Sequence, residues 1–392
     1  MLNISRFEDR LFTGRRLSLW GFSFLGAYVT ALVIRFLVHK WIIDKTGHPV
    51  FTDFVWIWVG GRFALMRDAA GAFNYSTFSE AQASLIGGPP PHGLPYDYWI
   101  YPPTMLLIVA PLALLSYVPA FFVWVFTTAC LYISVIYAIL PCGLAILLAL
   151  LPCAVIINVS LGQAAFLTTA LLGFAFLLMD RRPYLSGICL GLLTYKPQLG
   201  LFFPLVLMIC GRWRVIAGAV TSTLLFFVAG TVAFGPGAWI LFVRSLRTHN
   251  PATFAPAHNL EVINQTAFGI MHWLGAGLIA AWTVHVVIAL LATALVCAIW
   301  LKPVPYSLKA AAFSLGSLMA TPYMLIYDLA ALSVPVAFLM QDARERGFLP
   351  GERLVLMGCF FTTFLFAYVP AAPIVILCLM GLVFRRVSYA RV

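Results

Sequence analysis

The sequence predicts an all-α, polytopic membrane protein, and three observations carry that reading. Of 392 residues, 62% are hydrophobic and 9% charged, against about 45–50% and about 25% in soluble domains. The mean hydropathy is +0.98. The apolar residues fall in runs that approach the roughly 20 residues needed to span a bilayer, separated by short basic loops. At that length the chain has room for about 12 transmembrane helices. An ordinary soluble enzyme, a nucleic-acid-binding domain and a disordered chain are excluded. The formal charge of +11 therefore reports loop topology rather than a nucleic-acid partner.

The first run, 17–38, follows Arg6, Arg10, Arg15 and Arg16 and lacks a small-residue cleavage site. It reads as a retained helix that starts in the cytoplasm. The longest polar interval, 40–101, comes next as a first periplasmic loop and holds Asp44, Asp53, Asp68, Glu80 and Asp97. It is expected to carry interfacial helices. FVWIWVGGRFALM (54–66) is apolar but too short to span, and Gly60, Gly61 and Arg62 interrupt it. TFSEAQASLI (77–86) sets Phe78, Ala81 and Leu85 on one helical face, against Ser79, Glu80, Gln82 and Ser84. The turn GGPPPHGLP then leads into YPP (101–103).

Helices are expected throughout 102–235, in runs at 102–115, 118–139, 143–158, 163–179, 184–210 and 214–235. A second periplasmic loop covers 236–264. The C-terminal helices occupy 265–384, in runs at 274–301, 306–322, 324–340, 353–370 and 371–384. The basic flanks Arg212/Arg214, Lys302/Lys309, Arg344/Arg346/Arg353 and Arg385/Arg386/Arg391 place the intervening loops, and both termini, in the cytoplasm. The run 184–210 reads either as one helix broken at Lys196-Pro197 or as two short helices, and the sequence leaves both open. The 392 residues read as a single integral membrane domain. The eight cysteines lie in apolar segments or at their ends, with no CxxC pair, and read as small core residues.

Ionisable residues are costly in hydrocarbon and tend to mark a site or a pathway. Here the strongly polar side chains collect on the non-cytoplasmic side. Asp53 and Arg62 follow the first helix. Tyr96, Asp97, Tyr98 and Tyr101 precede the second. Arg244, Arg247, His249, His258, Glu261, Asn264 and Gln265 lie in or beside the second loop, and Tyr323, Tyr327 and Asp328 between two late runs. Convergence on one face suits a lipid-facing enzyme site better than a channel. Each residue also has a plainer role. Asp53 fits a helix N-cap, Arg62 and Arg67 fit headgroup anchors, Lys196 fits a helix-end anchor, and Asp328 fits a buried structural acid. Asn74, Asn158 and Asn264 match the glycosylation sequon, a triplet frequent by chance.

The succession TDFVWIWVGGRFAL (52–65), WIYPPTMLLIVAPLALL (99–115), NVSLGQAAFLTTALL (158–172), SGICLGLLTYKPQLGLFFPLVLMICGRWR (186–214), INQTAFGIM (263–271) and TPYMLIYDLAAL (321–332) resembles glycosyltransferase family 87. The resemblance spans about residues 50–335 and rests on the order and spacing of all six stretches. It implies a GT-C fold (the C-type glycosyltransferase superfamily) in the bacterial inner membrane. It also implies inverting transfer of a sugar, mannose being the family's commonest, from a polyprenyl-phosphate donor to a lipid-linked or small acceptor at the periplasmic face. Carried onto this chain, it makes Asp53 the general base; Asp97, just before the YPP segment, departs from the family pattern and is the alternative base. Arg62, Lys196 and Arg244 become the donor-phosphate ligands. Gln163, His258, Asn264, Gln265, Tyr323, Tyr327 and Asp328 become sugar or acceptor ligands. The lipid phosphate is already a good leaving group and no DxD motif or His cluster is present, so neither metal nor cofactor is expected.

Two rival readings use the same helices. A lipid or sugar transporter or flippase would show an internal repeat and polar groups near the midplane, and neither is visible. A transferase of the O-antigen-ligase type, with a diphosphate-linked donor, would place its main periplasmic loop late in the chain. Here the longer loop follows the first helix.

Overall fold

The structure is a computed structural model and describes residues 4–91, 96–248 and 264–389. Among these residues every regular element is helical, and extended pairing occurs only as isolated bridges. Six helices are long and apolar enough to cross a membrane: Gly14–Leu37, Tyr117–Ile139, Trp213–Phe234, Leu278–Trp300, Ile326–Arg346 and Ala372–Tyr389. A seventh span results if Gly143–Leu150 and Cys153–Leu161, which meet at a bend of 61°, are counted together. The chain is therefore a multi-pass membrane protein.

The remaining apolar runs form helices too, but shorter ones, so fewer full-length spans appear than the 12 or so that the length rule gives. Pro103–Leu114, Ala165–Leu178, Pro183–Tyr195 and Pro197–Ile209 are all under 18 residues. Backbone chemistry explains the cuts. The run 184–210 breaks at Lys196, which takes φ −121° and ψ 75°, because Pro197 bars its predecessor from the helical region and lacks an N–H of its own.

Small residues let these pieces pack closely. On Pro183–Leu192, Gly187 and Gly191 lie against Trp213–Phe234, where Gly218 answers them. An added Cβ at Gly187 would stand 2.1 Å from the Val215 carbonyl oxygen, and one at Gly218 2.3 Å from that of Tyr184. In a membrane, where lipid tails are as apolar as leucine, such close approach is a main source of helix–helix attraction. The first spanning helix is the opposite case: only Gly21 is buried along Gly14–Leu37.

The first interval departs from its expectation. FVWIWVGGRFALM belongs to a helix Asp53–Leu65, as its length suggests, but ten of that helix's residues are buried. It is walled by protein rather than laid on a lipid surface by one face. Gly60 makes room for the Trp99 ring and Gly61 for the Val109 carbonyl. On the helix Tyr75–Ile86, Phe78 faces inward as predicted, yet so does Gln82, which the pattern assigns to the polar face. The Gln82 amide donates to the carbonyl oxygens of Asp97 at 2.8 Å and Phe78 at 3.4 Å. These bonds satisfy its nitrogen, while its buried Oε1 has no hydrogen-bond partner among the described residues.

A knot of buried charges ties distant parts of the chain together. Arg386 bonds Asp342 at 2.7 Å and grips Glu352 through Nε and Nη2. Ser307 donates to Asp342 as well. Glu8, 2% exposed, accepts from the backbone N–H groups of Gly351 at 2.9 Å and Leu354 at 3.1 Å, and Asp9 pairs with Arg353 at 2.7 Å.

Candidate functional site

The site is assembled from four stretches far apart in sequence. Asp53 is the first residue of Asp53–Leu65, and its carboxylate accepts a hydrogen bond from the Gln163 amide nitrogen at 2.7 Å. The helix Cys153–Leu161 ends on Gly162, left-handed at φ +69°, a conformation glycine takes at little cost. That turn hands its N–H back to the Asn158 carbonyl and directs the 1%-exposed Gln163 inward. Gln163 is locked at its other end by accepting from the Ala164 N–H at 3.1 Å. An added Cβ at Gly162 would also strike Phe54 at 2.7 Å, so the glycine sets how near the two stretches come.

The second pair is an ion pair. Lys196, swung inward by the break before Pro197, bonds Asp328 at 2.6 Å, with both groups buried. The other Asp328 oxygen accepts from the Leu325 N–H at 3.2 Å, and the Lys196 ammonium stands 5.5 Å from the Tyr327 ring centroid. Asp53 feels both members of this pair, and Asp97 feels Asp53. Tyr101 senses Asp328 and Asp53, and Tyr323 senses these two and Asp97. The Tyr101 ring stacks on Trp56 and stands 6.3 Å from the Tyr195 ring, whose hydroxyl bonds Thr168 at 2.7 Å.

Burial raises the Asp53 carboxyl to about 6, against the opposing pull of Gln163 and Lys196. Burial, then the charge of Asp53, raises Asp97 to about 8. Taken over the whole residue, both are half-buried. The tyrosine hydroxyls Tyr101 and Tyr323 are pushed upward by burial and by these acids, and stay neutral. A cluster so built can take a proton from a bound hydroxyl and present a cation and neutral O–H donors beside it.

The structure thus brings together Asp53, Asp97, Gln163, Lys196, Tyr323, Tyr327 and Asp328. It places the other sequence candidates differently. Arg62 is exposed and stacks on Trp58 at 5.3 Å; nine residues along a helix put it about 13 Å along the axis from Asp53. Arg244 is exposed on Gly237–Thr248. Asn264 and Gln265 are buried and engage backbone. Asn264 Oδ1 accepts from the Met324 N–H and the Thr266 hydroxyl, and the Gln265 amide joins Phe366 O and Ala372 N. They hold the loop before Asp328. His258 lies outside the described residues. Tyr195, Thr168 and Gln82 support the site without having been singled out. Gln82 carries the one usable signal, an amide on a helix whose apolar stripe lies directly beside it. Among the described residues no three His, Cys, Asp or Glu side chains stand together to hold a metal ion. Asn158, fully buried, is no glycosylation acceptor.

The family model for glycosyltransferase family 87 matches residues 99–326, more than half of the chain. Lys196, Gln163 and Tyr323 fall inside the matched region, Asp53 and Asp97 before it, and Tyr327 and Asp328 immediately after. No curated protein and no solved structure matches the chain.

Proposed function

Because the chain belongs to glycosyltransferase family 87, we propose that it is an inverting, GT-C-type enzyme. In this reading it moves a sugar, mannose in the first instance, from a polyprenyl-phosphate donor to a lipid-linked or small acceptor. The site faces the periplasm and both termini the cytoplasm, in a bacterial inner membrane. The observation that carries the reading is the 2.7 Å contact between Gln163 and Asp53, with the Lys196–Asp328 pair in electrostatic reach. It supplies an oriented base next to a buried cation.

The chemistry is one displacement. The acceptor hydroxyl loses its proton to Asp53 as its oxygen bonds the anomeric carbon. The bond from that carbon to the phosphate oxygen breaks on the opposite side, and the lipid phosphate leaves with the electron pair. Gln163 holds Asp53 ionised and aimed by donating to one oxygen, so the other is left for the acceptor. Lys196 turns from Asp328 toward the departing phosphate, a charge best stabilised where water is scarce. Tyr323 and Tyr327 offer hydroxyls to the sugar. No step in this scheme calls on a metal ion.

The test is transfer of label from polyprenyl-phosphate [14C]mannose into host lipid extract by the protein in nanodiscs. Wild type should make a labelled glycolipid. Asp53→Asn should lose about 10²–10⁴-fold, the range of a general base, at unchanged expression. Equal transfer by both proteins would remove Asp53 from the mechanism.

A further inference from the structure

The first spanning helix meets the body of the protein at few points. Gly21, its one buried residue, lies against Leu147. The Phe24 ring packs on Phe360 and Phe364, with centroids 6.0 and 5.8 Å apart, and the Tyr28 hydroxyl donates to the Leu151 carbonyl at 3.0 Å. Beside these contacts the helix leaves a cavity of about 230 Å³, walled by Trp20, Leu147, Leu332, Val336 and Leu356 among others. None of the residues gathered at the candidate site lines it.

The lining suits hydrocarbon and not water. Its hydroxyls are already bonded, Ser333 with Tyr132 at 2.7 Å and Thr363 to the Phe360 carbonyl at 2.7 Å, whereas a buried water needs several polar partners. An apolar cavity of about 150 Å³ stays dry and takes up benzene, and this one is larger. Trp20 and Leu144 are half-buried and Phe361 is exposed, so the lining is reached from the lipid side.

One end carries charge. Arg353 is the one charged side chain of the lining among the described residues. Its guanidinium lies 4.4 Å from the Phe348 ring and donates to Asp9 at 2.7 Å. The Asp9 side chain is 67% exposed, and an exposed pair of this kind is worth little. The other N–H donors of the planar fork suit a phosphate. The grip of Glu8 on the Gly351 and Leu354 N–H groups brings the N-terminal segment alongside. There Arg10, Arg15 and Arg16 are exposed and flank Phe12 and Leu17, which both line the cavity. Arg16 also donates to the Arg10 carbonyl at 2.6 Å. An apolar slot thus ends at a cluster of arginines.

We propose that this cavity holds one anionic glycerophospholipid. An acyl chain lies among Trp20, Leu147, Leu332 and Leu356, and the phosphate rests on Arg353 beside the N-terminal arginines. The lipid joins the first helix to the body, filling room that side chains leave. Such a site needs only the membrane setting and does not depend on the glycosyltransferase reading.

Native mass spectrometry tests it, with the full-length protein released from detergent containing dioleoylphosphatidylglycerol or dioleoylphosphatidylcholine. Wild type should retain one phosphatidylglycerol per chain and no phosphatidylcholine. Arg353→Met should weaken retention about tenfold or more, the worth of one charge-assisted hydrogen bond. Leu356→Trp, which fills the cavity, should abolish it. Arg214→Met, at an exposed arginine outside the lining, should bind as wild type does. Asp9→Asn should tighten binding by freeing the guanidinium, a gain that a purely structural Arg353–Asp9 pair does not give. Added phosphatidylglycerol should also raise the melting temperature of wild type but not that of Leu356→Trp. If Leu356→Trp does not fold, Arg353→Met, which leaves the cavity intact, decides the matter. Retention of neither lipid, equal retention of both, or retention undiminished in Arg353→Met overturns the proposal. So does displacement of phosphatidylglycerol by an equal amount of polyprenyl phosphate, which would make the cavity a slot for that lipid's tail.

Discussion

Gln163 shows how one neutral side chain tunes a base. Its hydrogen bond favours the ionised form of Asp53, so removing it lets burial push that carboxyl above about 6. Since the base must be ionised to accept a proton, activity should climb as pH rises through about 6. In Gln163→Leu that climb should start at higher pH, and a pH–rate profile of the two proteins measures the shift. Asp97 offers the matching test on stability. Its folded-state value lies above the unfolded 3.8, so its contribution is present below 3.8 and is lost as pH rises toward about 8. The neutral isostere in Asp97→Asn escapes that loss. Its melting temperature in detergent should therefore exceed that of wild type by a margin that widens between pH 3.8 and about 8 and then stays constant.

At the scale of helices, the positions of most elements were legible because hydropathy and the Gly/Pro breaks report them directly. The break at Lys196-Pro197 is the clearest case, and it also delivers the buried lysine. The environment of the helix Asp53–Leu65 was not legible. A 13-residue apolar segment looks the same whether lipid or protein covers it, and only the pairing of Gly60 with Trp99 shows which. That pairing is testable. A Cβ at residue 60 would come within 2.2 Å of the Trp99 ring, so Gly60→Ala should destabilise by about 1–3 kcal/mol. The smaller ring of a second-site Trp99→Phe should restore part of the loss, as thermal unfolding of the single and double variants would show. For the site, the structure sets Asp53 against Gln163 and Lys196 against Asp328, pairings that a hydropathy map cannot give. Arg62 and Asn264 show the limit: a composition pattern locates a polar residue but not the direction of its side chain. Arg62 stacks outward on Trp58, and Asn264 is consumed by the backbone it holds.

For the molecule as a whole, the described residues pack into two apolar cores. One is built around the helices from Tyr132 to the C-terminal Val387, the other around Asp53–Leu65 and its aromatic neighbours. Gln163 and Lys196 lie on the stretches that pass between them, since Ala164 and Tyr195 belong to the second core while Phe166 and Leu193 belong to the first. The knot at Arg386 holds the far part of the structure in the same way. Arg386→Met would strand the buried Asp342 and Glu352 carboxylates, and loss of one partner from a buried ion pair costs about 3–5 kcal/mol. A marked drop in the thermal midpoint in detergent would confirm it.

That knot also bears on parity. Glu8 touches Gly351 and Leu354, and Arg386 touches Glu352, so these three points share one depth and one side of any bilayer around them. A thread that leaves a surface and returns to it must cross an even number of times. With the knot outside the hydrocarbon, the chain would cross an even number of times from residue 8 to 352 and again from 352 to 386, the second count requiring Glu352–Thr362 to contribute a passage beside Ala372–Tyr389. Among the candidate spans this obliges the bent pair and the shorter apolar helices to add their passages in a combination that closes the count, whatever each contributes alone. The expected outcome is that reporter fusions to the two termini light up in the same compartment, and signals from opposite compartments would refute the even count.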